Sequence, residues 1–163
     1  MRAALFLLAL GASAVIAKPL SKNEIIDKIV HSSMKYGVDP LLALAIVEKE
    51  SNFNPYAKKE EGELGTASIG LFQVLLSTAK AEFGFPGGEK ELFDPKNNIK
   101  VGLQYIKRCL GYVGENISSI ACCYQAGFYS NQNWCRTNKK IQRYAEDVSR
   151  KREAWRLQFL DTE

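Results

Sequence analysis

The sequence predicts a mainly α-helical domain, because helix-capping signals recur along it, apolar residues repeat at helical spacing, and alternating strand patterns are hard to find. A length of 163 residues, with 46% hydrophobic and 25% charged, suits one folded core. It excludes disordered, collagen-like and multi-span membrane chains.

Ser21 and Glu24 form an S-x-x-E capping box that opens a first helix, with Ile25, Ile26, Ile29, Val30 and Met34 as its apolar stripe. Gly37 ends it, and His31 falls opposite the stripe, where it reads as solvated. Asp39-Pro40 caps a second helix whose run Leu41 to Val47 is apolar all round and must therefore be buried, leaving Glu50 at its far end. A loop carrying Lys58, Lys59, Glu60, Glu61 and Glu63 is expected to be exposed and mobile. It leads through Gly62 and Gly65 into the run Ser68 to Val74 and a helix that ends at Gly84. Asp94-Pro95 caps a further helix with Ile99, Val101, Leu103, Tyr105 and Ile106, and Ile117 to Tyr124 continues as a short apolar helix. From Lys139 to about Leu160 an amphipathic helix offers Ile141, Tyr144, Ala145, Val148 and Trp155 to the core. Its run Arg150-Lys151-Arg152 reads as a solvated face.

The N-terminal residues 1–17 pair Arg2 with an uncharged stretch from Ala3 to Ala17, short of the roughly 20 residues a bilayer span needs. We expect a cleaved secretory leader over 1–17, a mature chain from Lys18, and no stable membrane span after cleavage. Export makes Cys109, Cys122, Cys123 and Cys135 an even set facing an oxidising compartment, so two disulfides are expected. Neighbouring Cys122 and Cys123 would point about 100° apart on a helix, so each should bond to Cys109 or Cys135; both crossed pairings remain open. A net charge of +4, scattered along the chain, is too weak for nucleic acid but compatible with an anionic envelope surface. With His31 the single histidine, a multi-His metal site is excluded, and no metal or other cofactor is expected.

A carboxyl at the mouth of a buried helix is partly desolvated, which raises its pKa toward the general-acid range. Glu48 competes with Glu50 for that role. Two helical residues two apart project about 200° from each other, so they cannot share one cleft.

Five motifs in order, YGVDPLLALAIVEKESNFNP, GLFQV, LFDPKNNIKVGLQYI, ACCYQAG and RYAEDV, make the chain resemble the lytic transglycosylases with a goose-lysozyme-like catalytic domain. The resemblance implies a lysozyme-like helical domain over 18–163 with a substrate groove. Carried across residue by residue, it implies that Glu50 is the catalytic acid and base. Ser51 would help order the glycan, while Phe72 and Gln73 would line the sugar groove. Tyr124 would hold the N-acetyl region beside Gln125, which stands where Asn is usual, and Tyr144 would reach back to Glu50. The implied reaction, that of a carbon-oxygen lyase, cuts the β-1,4 bond between N-acetylmuramic acid and N-acetylglucosamine in peptidoglycan glycan strands and leaves 1,6-anhydromuramyl ends. The implied setting is periplasmic or secreted, in the service of a secretion, conjugation or phage apparatus. Two alternatives differ in class: a hydrolytic lysozyme on the same fold, with Glu60, Glu61 or Glu63 activating water, and a non-catalytic wall-binding assembly protein.

Overall fold

A computed structural model describes residues 18–62, 66–128 and 133–161; the expected leader, residues 1–17, and Glu63 lie outside the described residues. Helix α1 spans Lys22–Tyr36. It opens with the expected reciprocal capping box of Ser21 and Glu24 and closes on Gly37 in the left-handed conformation. Ile25 and Ile29 face the core, whereas Met34 is 61% exposed and leaves the stripe to which it was assigned. It lies next to the helix end, where none of the described elements covers that face. His31 is exposed, as expected.

Helix α2, Pro40–Ser51, is the central element. Asp39 caps it by accepting from the Leu41 N–H at 2.9 Å. Leu42 to Val47 are each at most 1% exposed, because α1 packs on one side and the C-terminal helix on the other. Burying Leu42, Leu44, Ile46 and Val47 contributes about 1.5–3 kcal/mol each, so a helix with no polar face is stable only at this position in the fold.

The acidic segment after α2 is where the reading of a mobile loop is corrected. Residues Lys58–Glu61 form strand β1, which pairs antiparallel with β2, Thr66–Ile69, and β2 in turn pairs with the two-residue β3, Val74–Leu75. The sheet was illegible because β1 has no apolar alternation: it is four charged residues, held by backbone pairing and by Lys59–Glu61 and Lys58–Glu60 ion pairs.

Helix α3, Leu76–Phe83, ends at Gly84 as expected, and a short α4, Glu89–Leu92, precedes α5, Pro95–Val113, capped by Asp94. Asn98, on the buried side of α5, is wholly enclosed. Its Oδ1 accepts from the Phe72 N–H at 2.8 Å, and its Nδ2 donates to the Ile69 and Leu92 carbonyls at 2.9 and 3.0 Å. One side chain thus fixes the turn after β2 and the end of α4 to α5. Gly102, one turn later, lies against the Phe72 ring so closely that an added Cβ would come within 2.2 Å of it.

Helix α6, Ile117–Ala126, and the short α7, Asn133–Thr137, are joined to their neighbours by disulfides. Of the two pairings the structure takes Cys109–Cys123, tying α6 to α5, and Cys122–Cys135, tying α6 to α7. Thiol labelling of denatured, unreduced protein should therefore mark no cysteine, and non-reducing proteolysis should release fragments with these two links. Removing either disulfide should lower stability by about 2–4 kcal/mol.

Helix α8, Lys139–Leu160, closes the core against α2 and α6 with Ile141, Tyr144, Ala145, Val148 and Trp155, as expected. Its basic run is not a solvated face throughout. Arg150 is on the surface, but Lys151 and Arg152 are half-buried and reach back to α2, where they pair with Glu48 and Asp39. Among the described residues no helix is long and apolar enough to cross a membrane.

Candidate active site

Because α2 is buried along its length, its last turn delivers Glu50 to the floor of a cleft of about 440 Å³. Helix α2 supplies Glu50, the sheet supplies Lys59, Glu61 and Ser68, the turn between β2 and β3 supplies Gln73, and α5, α6 and α8 supply Tyr105, Tyr124, Gln125 and Lys140. Burial pushes the Glu50 carboxyl above its usual pKa. The Tyr144 hydroxyl, donating to Glu50 Oε1 at 2.5 Å, pulls the other way, as do Lys59 and Lys49, while Glu61 adds to the rise. Tyr144 is itself buried, and desolvation followed by the nearby Glu50 charge keeps its hydroxyl protonated, so it is a permanent donor.

Glu48 points away. One of its oxygens pairs with Lys151 and the other accepts from the Trp155 indole N–H at 2.8 Å. Its role is to join α2 to α8, and the two carboxyls do project to different sides of the helix, as their spacing implied. Glu48→Gln should leave activity nearly intact and lower stability by about 1 kcal/mol, read from paired turnover and thermal-unfolding measurements.

The other expected site residues separate into those that face the cleft and those that support it. Gln73 faces it, with φ of +46°; its Nε2 donates to the Ala57 and Gly70 carbonyls, which leaves the amide oxygen as an acceptor toward the cleft. Tyr124 also faces it. Its single proton goes to the Phe72 carbonyl at 2.7 Å, so toward a ligand its oxygen can only accept. Gln125 is exposed on the cleft rim. Ser51 does not line the cleft. Its hydroxyl is committed to backbone carbonyls, that of Leu71 at 2.8 Å and that of Val47 at 3.2 Å, and it pins the end of α2 to the turn that carries Gln73.

Phe72 is a correction: expected to line the groove, it is 0% exposed and its ring covers Gly102 behind the site. The physical cause is the turn. Its N–H is held by Asn98 and its carbonyl by Tyr124, and the left-handed Gln73 turns outward while Phe72 turns in. Phe72 therefore shapes the cleft from below and touches nothing in it.

Residues that sequence reasoning missed complete the cleft. Tyr105 is half-buried, its ring centroid 4.8 Å from that of Tyr124 with the planes tilted by 58°, and desolvation pushes its hydroxyl pKa up to about 12. In the sequence it is one of the residues carried by α5, and its helical spacing gives no sign of a place in the cleft. Asn98 carried a usable signal, since it is a polar residue one turn before Gly102 on an otherwise apolar stripe. The cleft continues at Ala126 and Gly127 into a hollow of about 320 Å³ walled by Tyr112, Phe128 and Arg136. Among the described residues no carboxyl group lines that hollow.

Residues 27–146 match the Transglycosylase SLT domain. Among curated relatives, the membrane-bound lytic murein transglycosylase C of Edwardsiella ictaluri is 38% identical over 91 residues, covering 52% of this chain and 24% of that protein. The membrane-bound lytic murein transglycosylase E of Buchnera aphidicola is 42% identical over 86 residues, covering 49% of this chain and 37% of that one. The matched stretch thus spans 24% to 37% of these relatives' own length. Among solved structures, the 70 kDa soluble lytic transglycosylase SLT70 from Escherichia coli superposes with a TM-score of 0.72 at 22% identity, covering 86% of this chain and 25% of that one. The lytic transglycosylase Slt from Pseudomonas aeruginosa, solved as an inactive mutant, gives 0.65 at 20% identity, covering 77% and 23%. The structural likeness establishes the lysozyme-like helical fold, and with most of its length matched the chain belongs to the Transglycosylase SLT domain family.

Proposed function

We propose that this protein is a peptidoglycan lytic transglycosylase, cutting the β-1,4 bond between N-acetylmuramic acid and N-acetylglucosamine with Glu50 as acid and then base. The observation that carries the reading is one desolvated carboxyl, clasped by a buried tyrosine, at the floor of a cleft in an SLT-family fold. A raised pKa favours the protonated form of Glu50, which can donate to the leaving oxygen, and the Tyr144 hydroxyl stabilises the carboxylate once that proton has left. The ionised Glu50 then takes the proton of the muramyl 6-hydroxyl as that oxygen closes on the anomeric carbon. Tyr124 and Gln73 present acceptors to the cleft, which suits the N–H of an acetamido group. No metal or cofactor enters any step.

The expected leader over 1–17 would place domain 18–163 outside the cytoplasm, periplasmic or secreted, where its partner is the glycan strand. A wall-cutting domain of this kind suits local opening of the envelope for a secretion, conjugation or phage apparatus. Digesting purified sacculi and weighing the released muropeptides tests the chemistry. Anhydromuramyl ends, lighter by one water than hydrolytic products, are expected as the main product. A wall-binding protein without activity would release nothing.

The pH dependence has a definite sign. Activity needs Glu50 protonated at the start of the cycle, so kcat/KM should fall as pH rises through its elevated pKa. Tyr144→Phe removes a donor that favours the ionised form, so this falling limb should move to higher pH. The maximal rate should drop by about tenfold because the returning base is less well held. An unmoved limb would mean that Tyr144 does not govern Glu50.

A further inference from the structure

The cleft holds a second carboxyl that the reading above does not use. Glu61, at the end of β1, lies in the same cleft as Glu50 but in an opposite environment. Its Oε1 accepts from Lys59 Nζ at 2.8 Å and from the Ser68 hydroxyl at 3.0 Å. These contacts hold it ionised, with its pKa below the usual range, while burial holds Glu50 above it. Ser68 is only 8% exposed and sits on β2 opposite Lys59 in the strand register, so the anchor is part of the sheet. Glu61 Oε2 has no hydrogen-bond partner among the described residues. A carboxylate fixed through one oxygen and open at the other, in one cleft with a second carboxyl whose burial favours its protonated form, is the arrangement in which one group donates a proton and the other receives one.

Resting on the transglycosylase reading of Glu50, we propose that Glu61 is a base for water, so that the enzyme releases a share of its product as ordinary reducing ends beside the anhydro ends. Both routes begin alike. Glu50 gives its proton to the leaving oxygen, the bond from that oxygen to the anomeric carbon breaks, and the acetamido oxygen bonds to the anomeric carbon. In the first route the 6-hydroxyl displaces the acetamido oxygen and its proton returns to Glu50. In the second, water displaces it, the water oxygen bonds to the anomeric carbon, and the freed proton goes to the Glu61 carboxylate. Glu61 then releases that proton to solvent and Glu50 takes one up, which restores the starting state with one water consumed. Displacement follows acetamido assistance in either case, so the hydrolytic ends retain the anomeric configuration.

The test is digestion of sacculi in water labelled with heavy oxygen, with mass analysis of every muramyl end. Wild-type protein should give both unlabelled anhydro ends and labelled reducing ends. Glu61→Gln should lower the labelled share by about a hundredfold. Ser68→Ala, which removes one anchor, should lower it less. Glu60→Gln, a change to an exposed neighbour paired with Lys58, should leave the share as it was. No labelled ends from the wild type, or an equal labelled share in Glu61→Gln, would overturn the proposal. So would parallel loss of both products in Glu61→Gln, because Glu61 would then act on the shared first step. Failure of the transglycosylase reading looks different: anhydro ends would be missing from the wild type whatever Glu61 does.

Discussion

Glu50→Gln is expected to abolish sacculus digestion almost completely, by about 10²–10⁴-fold, since the amide fills the same space but cannot deliver a proton. The fold should survive and become more stable at neutral pH. A carboxyl whose folded pKa is raised binds its proton more tightly in the native state. Its contribution to stability is therefore whole below the unfolded value of 4.5 and is lost as pH rises through the folded pKa. Gln carries no such cost, so the two proteins should unfold at similar temperatures in acid and diverge as pH increases, with the variant higher. Equal thermal midpoints across that range would show that Glu50 is not desolvated as described. A turnover loss no greater than that of Glu48→Gln would show that the acid had been misassigned.

The second large effect concerns Asn98. Asn98→Ala strips partners from the Phe72 N–H and from the Ile69 and Leu92 carbonyls, three backbone groups at an enclosed site. At about 1–3 kcal/mol for each buried group left unpaired, and some relaxation allowed, a loss of about 3–5 kcal/mol is expected in urea unfolding. Asn98→Asp should be no better, since it keeps the acceptor for Phe72 but sets a carboxylate against two carbonyl oxygens. A loss below about 1 kcal/mol would mean that water reaches these groups and replaces the side chain. Because the turn that Asn98 holds carries Gln73 into the cleft, activity should fall before the protein unfolds.

These two residues mark where the sequence was legible and where it was not. Helix ends could be read because capping is local chemistry: Ser21 with Glu24, Asp39 with Pro40, Asp94 with Pro95 and the glycines at 37 and 84 act within a few residues of themselves. The burial of α2 could be read from its lack of any polar face. Glu50 could be placed by the same logic, whereas choosing it over Glu48 needed the surrounding motifs. The sheet could not be read, since strand β1 is built from lysine and glutamate and its register lies in the partner strand. Nor could the direction of Phe72, because one residue in the left-handed region reverses which of two neighbours faces inward, and nothing in the letters Phe-Gln announces that. Adjacent cysteines limited the pairing to two choices but not to one, as the decision depends on where α7 comes to rest.

The clasp between Tyr144 and Glu50 spans 94 positions of the chain. Closing so long a loop carries an entropic penalty that only the packing of α8 against α2 and α6 can repay, so this contact belongs to the late, nonlocal part of folding. A nascent chain, or one in which α8 has come away, lacks the tyrosine that holds the carboxylate. It also lacks the wall that carries Lys140, and it leaves the end of α2 open to water. The environment of the Glu50 carboxyl is therefore tied to completion of the whole fold. Partly folded molecules should be inert toward glycan even with Glu50 and the sheet already in place.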